Sequence, residues 1–128
     1  MKFRNDIAAV YWITGLSGSG KTSVSKEFIK LLNEIGQEAI NLDGDDLRKI
    51  IGGGYTKANR LKQAKKYSQL CKLFSNQGIF VVAAVGGLIR SIHNWNRLNI
   101  KNYIEVFLNV PEKQLLQRNK KKLYSDFE

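Results

Sequence analysis

Four short segments rich in apolar residues alternate along the chain with longer segments in which apolar residues recur every three or four positions. The short segments cover residues 7–14, 38–42, 79–85 and 103–108. The third is apolar throughout, as is typical of a central parallel strand that is covered on both faces. Because predicted strands and helices alternate, the pattern favours an α/β fold with a doubly wound, mostly parallel sheet.

Apolar residues at helical spacing mark the helical segments, and those of the later helices predict part of the core. The helix after the first strand carries apolar residues at helical spacing, namely Val24, Phe28, Leu31, Leu32 and Ile35. The stripe of the helix before the third strand comprises Leu61, Ala64, Ser68, Cys71 and Phe74, widened by Tyr67, Leu70 and Leu73. Gly36 and Gly78 are placed to end these two helices. Residues 88–98 predict a further helix, and a last one after Pro111 would direct Leu115, Leu116 and Leu123 towards the core.

A glycine-rich loop joins the first strand to the first helix. It reads Gly15-Leu16-Ser17-Gly18-Ser19-Gly20-Lys21-Thr22 and fits the phosphate-loop pattern G-x-x-x-x-G-K-[ST]. Its glycines let backbone N–H groups surround a phosphate, and the helix adds the positive end of its dipole. Lys21 can reach the β- and γ-phosphates, and the Thr22 hydroxyl can ligate Mg²⁺. The alternative is a glycine-rich turn with a chance lysine, but the strand–loop–helix context favours a nucleoside triphosphate site.

A pair of carboxylates follows the second predicted strand. Asp43 and Asp45 lie in Asp43-Gly44-Asp45-Asp46, and ligands bind beyond the carboxyl ends of the strands in an open parallel sheet. We therefore expect both to face the phosphate loop, where one could hold Mg²⁺ and one could accept the proton of an attacking hydroxyl. The alternative is that Asp45 or Asp46 merely caps the next helix. A cap does not need two flanking carboxylates, so we favour chemistry.

Composition narrows the class of protein further. The 128 residues form one domain, and no apolar run approaches the roughly 20 residues that span a bilayer. The N-terminus lacks the pattern of a secretory signal, and the single cysteine, Cys71, fits a reducing cytoplasm and a place in the core. The only histidine, His93, suits the surface or packing, so a zinc cluster is not expected.

The net charge of +10 fits either nucleic acid or a small polyanionic substrate. The basic residues are spread along several segments, and no recognition helix or aromatic-rich binding sheet is evident. Charge alone does not choose between these partners. Because such binding elements and a membrane-spanning run are both lacking in the sequence, we expect no nucleic-acid partner and no membrane association.

Further motifs extend to the end of the chain. The segment Leu42-Asp43-Gly44-Asp45-Asp46-Leu47-Arg48 is followed by a predicted flexible hinge at 52–54, by Gly54-Tyr55-Thr56 and by Arg60. Later matches lie at 72–74, 103–107, 117–118 and 123–124. Together with the phosphate loop, these motifs resemble the adenylylsulfate kinase family. The resemblance implies a P-loop NTPase fold of three α/β/α layers in a single domain over residues 1–128. It also implies ATP-dependent phosphorylation of the 3′-hydroxyl group of a small-molecule nucleotide acceptor.

The resemblance also implies roles for individual residues. The stretch from Gly15 to Thr22 would bind ATP, as would Ser23 and Arg118, the latter near the base. Thr22 and Asp43 would hold Mg²⁺, and the catalytic set would be Lys21, Asp43 and Asp45. The acceptor would be bound by Asp45, Arg48, Tyr55, Arg60 and Gln63, with Tyr55 stacking on its base and the arginines meeting its anionic groups. Because family members often dimerise, a homodimer is implied as well.

The chain departs from the family pattern in its acceptor half. Gln63 stands where the family has asparagine, and Lys65 where it has arginine. Residues 85–90 read V-G-G-L-I-R in place of F-I-S-P-[FY]-R, and the spacer between Arg48 and Gly54 is shorter. The family continues past Leu123-Tyr124 with a basic lid and a last helix, which we expect this chain to lack.

Three functions remain open at this point. The leading one is an ATP-dependent kinase acting on adenylylsulfate. A second is cytidine diphosphoramidate phosphorylation, because Trp95-Asn96-Arg97 resembles a capsule-associated branch of the family. A third, of another class, is a non-catalytic ATP-binding remnant. Two features motivate it, the expected loss of the lid and the presence of the Gly86-Gly87 pair in the acceptor loop.

Overall fold

A computed structural model describes residues 7–16, 20–86 and 88–109 of the chain. Strands and helices alternate in it as the apolar pattern predicts. The elements are β1 (Val10–Gly15), α1 (Lys21–Glu34), β2 (Ala39–Asp43), α2 (Gly44–Ile51), α3 (Lys57–Asn76), β3 (Phe80–Ala84), α4 (Arg90–Asn99) and β4 (Tyr103–Leu108). The helix predicted after Pro111 lies outside the described residues.

The strands form one sheet in the order β2-β3-β1-β4, and every pairing is parallel. The predicted parallel α/β sheet is therefore confirmed. Ile13 of β1 and Asp43 of β2 both align with Ala84 of β3. The phosphate loop and the first carboxylate of the acidic pair thus leave the sheet at the same edge, where α/β proteins bind ligands.

Side chains of β1 alternate between two apolar clusters, one on each face of the sheet. Val10 and Trp12 belong to a cluster completed by Ala64 and Cys71 of α3 and by Ile92 of α4. Ile13 belongs to a second cluster with Val82 and with Leu32 of α1. Helices therefore cover both faces of the sheet, which confirms the three-layer arrangement.

The apolar stripes are narrower than the sequence predicts. Leu31 is 53% exposed and Ile35 is 78% exposed, although both follow the helical spacing of apolar residues in this segment. The physical reason is that one sheet face covers only part of the circumference of α1, and Ile35 follows its last helical residue. Leu73 of α3 is exposed as well, so the prediction that it widens the buried face is wrong. Gly36 and Gly78 lie just beyond the two helix ends with φ near +81°, as expected for helix stops.

None of the helices within 7–16, 20–86 and 88–109 is both long enough and apolar enough to cross a bilayer.

Candidate active site

The Lys21 side chain contacts the first residues of the phosphate loop. Gly20 precedes α1 with φ of +97°, a backbone region that favours glycine. The Lys21 Nζ donates hydrogen bonds to the carbonyl oxygens of Gly15 at 3.0 Å and Leu16 at 3.1 Å. The ammonium therefore bridges the start and the end of the loop. Ser17, Gly18 and Ser19 lie outside the described residues, so their predicted phosphate contacts stay predictions.

The electrostatic environment of Lys21 has two opposing parts. Burial lowers the pKa of its ammonium, while the negative charges of Asp45 and Asp43 act to raise it, and the net result is a lowered pKa. An ammonium held partly away from water gains from a nearby anion. The triphosphate that the loop predicts would supply that anion.

Asp43 connects the two halves of the site. Its Oδ2 accepts a hydrogen bond from the Thr22 Oγ1 at 3.2 Å, and its Oδ1 accepts one from the backbone N–H of Asp45 at 2.8 Å. The second bond makes Asp43 the N-cap of α2. The alternative role considered for Asp45 or Asp46, that of capping this helix, is therefore wrong, because Asp43 itself has the extended backbone that a cap needs.

Asp45 lies in the first turn of α2 and is exposed. Its Oδ1 lies 3.6 Å from the Arg48 Nη1, and its charge acts on Lys21. Both predicted carboxylates thus stand between the phosphate loop and the arginine expected to bind the acceptor. This arrangement agrees with the expectation that the pair faces the loop.

The residues proposed for Mg²⁺ fit that ion. Thr22 and Asp43 offer a hydroxyl and a carboxylate already in contact, and Mg²⁺ prefers oxygen ligands. No group of three or more His, Cys, Asp or Glu residues suited to a metal occurs within the described ranges. Where nucleotide phosphates supply further oxygen ligands, Mg²⁺ needs only a few ligands from the protein.

On the acceptor side the structure brings together Arg48, Tyr55 and Gln63. The Arg48 guanidinium carbon lies 5.0 Å from the centroid of the Tyr55 ring, and its Nε donates to the Gln63 Oε1 at 3.3 Å. Tyr55 is 69% exposed, so a base could stack on it. The exposed side chain of Arg60, one turn before Gln63 on α3, forms no hydrogen bond or ion pair with the described part of the chain. It does not join the cluster.

Two contacts around this cluster were not foreseen. The Gln63 Nε2 donates to the carbonyl oxygens of Gly52 and Gly54, so the predicted hinge is held by hydrogen bonds to α3. The Tyr67 hydroxyl, expected only in the core, donates to the carbonyl oxygen of Gly44 at 3.3 Å. The glycine run was the only signal of the first contact in the sequence, and the second had none.

Other candidate residues are distributed as follows. Cys71 is buried, and burial raises the pKa of its thiol to about 12, as expected for a core residue. His93 packs beside Glu105, with 3.8 Å between Nδ1 and Oε1, and burial lowers the pKa of its imidazole. The pair is therefore not an ion pair at neutral pH. Arg118 and Gly87 lie outside the described residues.

Fold and site define the class of protein. A parallel α/β sheet, a phosphate loop with its lysine and hydroxyl residue, and a carboxylate at the end of a nearby strand make the chain a P-loop phosphotransferase of the kinase type. The family model described as adenylylsulphate kinase matches residues 7–127. The chain belongs to the adenylylsulphate kinase family.

Relatives of known name agree with that assignment. The cytidine diphosphoramidate kinase of Campylobacter jejuni is 34% identical over 117 residues, covering 91% of this chain and 69% of that protein. The adenylyl-sulfate kinase of Paraburkholderia xenovorans is 37% identical over 123 residues, covering 91% and 67%. The chain thus spans about two thirds of the length of these relatives.

A solved structure supports the fold independently. The Mycobacterium tuberculosis APS kinase in complex with AMPPNP and APS superposes with a TM-score of 0.83 at 29% identity, covering 94% of this chain and 73% of that one.

Proposed function

We propose that the chain is an ATP-dependent kinase that phosphorylates the 3′-hydroxyl group of a small nucleotide, with adenylylsulfate as the first acceptor to test. The observation that carries the proposal is the hydrogen bond of 3.2 Å between Thr22 and Asp43. It joins the last residue of the phosphate loop to the carboxylate beside the cluster of Arg48, Tyr55 and Gln63. Donor and acceptor sites that share such a contact are close enough for direct phosphoryl transfer.

On the donor side, the stretch from Gly15 to Thr22, with Ser23, binds the phosphates of ATP, and the family resemblance assigns Arg118 to binding near its base. Lys21 brings a positive charge to the β- and γ-phosphates. Thr22 and Asp43 would hold Mg²⁺, which neutralises charge on the transferring phosphoryl group when it is bound. These residues work by positioning and by charge.

In the transfer step, the acceptor hydroxyl oxygen forms a bond to the γ-phosphorus. The bond between that phosphorus and the β–γ bridging oxygen breaks, and its electron pair leaves with ADP. The hydroxyl proton passes to the carboxylate of Asp43 or Asp45. Lys21 and the loop backbone stabilise the charge that develops on the phosphoryl oxygens.

On the acceptor side, Arg48 and Arg60 bind the anionic groups of the nucleotide and Tyr55 stacks on its base. The contact of 5.0 Å between Arg48 and the Tyr55 ring supports a shared role for this pair. Arg60 would reach the acceptor from the first turn of α3.

Cytidine diphosphoramidate is the second acceptor to test, because the Campylobacter jejuni relative carries that name. Identities of 34% and 37% to the two named kinases do not choose between the acceptors. Asn96 is buried with its Nδ2 donating to the Tyr103 hydroxyl, and Arg97 binds Glu105. These contacts give the 95–97 segment a packing role. Its resemblance to the capsule branch is therefore weak support for cytidine diphosphoramidate as the acceptor.

The proposal is tested by coupled ADP release with ATP, Mg²⁺ and each acceptor in turn. The control omits the acceptor and measures the background hydrolysis of ATP. Release that depends on one acceptor is the expected result and names the substrate. Binding of ATP with no release from either acceptor would refute the kinase and favour the non-catalytic alternative.

A further inference from the structure

We infer that Gln63 is a positioning residue, which fixes Arg48 for the anionic group of the acceptor and acts from inside the protein without touching the acceptor. The inference rests on the proposed function, because acceptor binding by Arg48 is part of it. It goes further by giving Gln63 a structural means of setting acceptor affinity.

The side chain of Gln63 uses both ends of its amide within the protein. It is 4% exposed, and its Nε2 donates to the carbonyl oxygens of Gly52 at 3.1 Å and Gly54 at 3.3 Å. Its Oε1 accepts a hydrogen bond from the Arg48 Nε at 3.3 Å. An amide has two donor hydrogens, and both are committed here. Little of Gln63 is left to contact a ligand.

Contacts inside the protein orient Arg48, whose side chain is still 28% exposed. The Arg48 Nε is used by Gln63, and the guanidinium faces the Tyr55 ring at 5.0 Å. The Nη1 lies 3.6 Å from Asp45, and the guanidinium also interacts with the Tyr67 hydroxyl. A guanidinium held at Nε and by an aromatic face is oriented before its ligand arrives. Such preorganisation reduces the ordering cost of binding.

The glycine segment is shaped to the amide of Gln63. A Cβ atom added at Gly53 would lie 2.7 Å from the Gln63 Nε2, closer than van der Waals contact permits. Gly53 also has φ of +101°, where side chains are strained. A residue larger than glycine at this position would therefore displace the amide that holds Arg48.

A glutamate at position 63 would have the same size and the opposite effect. Its carboxylate would face two carbonyl oxygens instead of donating to them, and it would pair with Arg48 in competition with the acceptor anion. The substitution Gln63→Glu therefore tests the inference. Gln69→Glu is the matched control, because it makes the same change on an exposed position of the same helix.

The experiment measures kcat and KM for both substrates, together with the ¹⁵N signal of the Arg48 Nε–H, assigned with Arg48→Lys. For Gln63→Glu we expect the acceptor KM to rise about tenfold, with kcat and the KM for ATP within about twofold of Gln69→Glu. The Arg48 signal should shift in Gln63→Glu alone. An acceptor KM equal to that of Gln69→Glu, or a fall in kcat alone, would overturn the inference.

Two further arms of the experiment distinguish a failure of the inference from unfolding of the variant and from a failure of the proposed function. If Gln63→Glu unfolds at the assay temperature, Gly53→Ala takes its place, and an unchanged acceptor KM there overturns the inference. If the wild-type chain turns over neither acceptor, the proposed function fails. The Arg48 signal then decides alone, because a shift confined to Gln63→Glu supports positioning and an unchanged signal overturns it.

Discussion

The substitution Asp43→Asn separates the two roles that Asp43 has in the structure. The carboxylate caps α2 through Oδ1 and accepts from the Thr22 hydroxyl through Oδ2. An asparagine side chain keeps one oxygen for the backbone N–H of Asp45 but cannot accept a proton from the acceptor. We therefore expect Asp43→Asn to remove turnover while leaving the fold and ATP binding largely intact.

The magnitudes of the two effects differ widely. Asparagine is about as good an N-cap as aspartate, and losing one charge near the helix dipole costs about 0.3–1 kcal/mol, a few degrees in Tm. Loss of a general base costs about 100-fold to 10,000-fold in kcat. Asp43→Ala should instead lose the cap as well, at about 0.5–2 kcal/mol.

The assay combines ADP release at saturating ATP and acceptor, calorimetric ATP binding and thermal unfolding. Asp46→Asn is the control, since Asp46 lies exposed in the same first turn of α2 and forms no hydrogen bond or ion pair with the described residues. A full rate in Asp43→Asn would refute the role of Asp43 as proton acceptor. An equal loss of rate in Asp46→Asn would show that net charge, and not the site, is responsible.

Three more outcomes are expected. Lys21→Met should weaken ATP binding and lower kcat/KM by about a hundredfold or more, because it removes the ammonium that bridges the loop, as calorimetry and ADP release would measure. Cys71 should resist iodoacetamide at about pH 8 in the folded protein, because burial raises the pKa of its thiol to about 12, and mass spectrometry of native and denatured samples would measure this. Although burial alone would raise the pKa of Glu105, hydrogen bonds from Arg97 and Tyr103 lower it. Glu105 therefore contributes stability above its unfolded pKa of about 4.3, and that stability is lost as the pH falls through the lower folded value. Glu105→Gln should flatten the dependence of Tm on pH in this range.

Each of these outcomes has a clear contrary result. Unchanged ATP affinity in Lys21→Met would contradict the loop assignment. Equal labelling of Cys71 in native and denatured protein would contradict its place in the core. An acid transition that is the same in Glu105→Gln and wild type would contradict the contribution of the Glu105 contacts.

Features carried by contiguous residues could be predicted from the sequence. The strand at 103–108 has the predicted bounds, and the third strand is shorter by one residue at each end. Asp43 ends the second strand, one residue beyond the predicted strand. These features depend on local apolar patterns and on a motif of fixed spacing, so no tertiary information is needed to find them.

Features that depend on distant residues could not be predicted in the same way. The sequence predicted a doubly wound sheet but not that β1 lies between β3 and β4. The contacts of Gln63 with Arg48 and the glycine carbonyls join residues 9–15 positions apart, on separate elements. The exposure of Leu31 and Ile35 follows from how much of α1 the sheet covers, which helical periodicity does not specify.

The proposed roles of the individual site residues, the homodimer and the cytoplasmic location stay predictions. The substitutions of Lys21, Asp43 and Gln63 test the roles of the site residues directly.

The position of each strand in the sheet has a consequence for how such a chain can change over evolutionary time. β1, which ends in the phosphate loop, is paired on both sides, whereas β2, which ends at Asp43, pairs with β3 alone among the described strands. The proposed triphosphate site thus follows a strand that is paired on both sides, and the proposed acceptor site follows a strand with one partner among the described strands. A substitution on or beside β2 affects fewer neighbouring strands than one on β1. Such a sheet would allow a lineage to exchange its acceptor while keeping its donor chemistry. Relatives named for two different acceptors are the pattern that such a division of labour would leave.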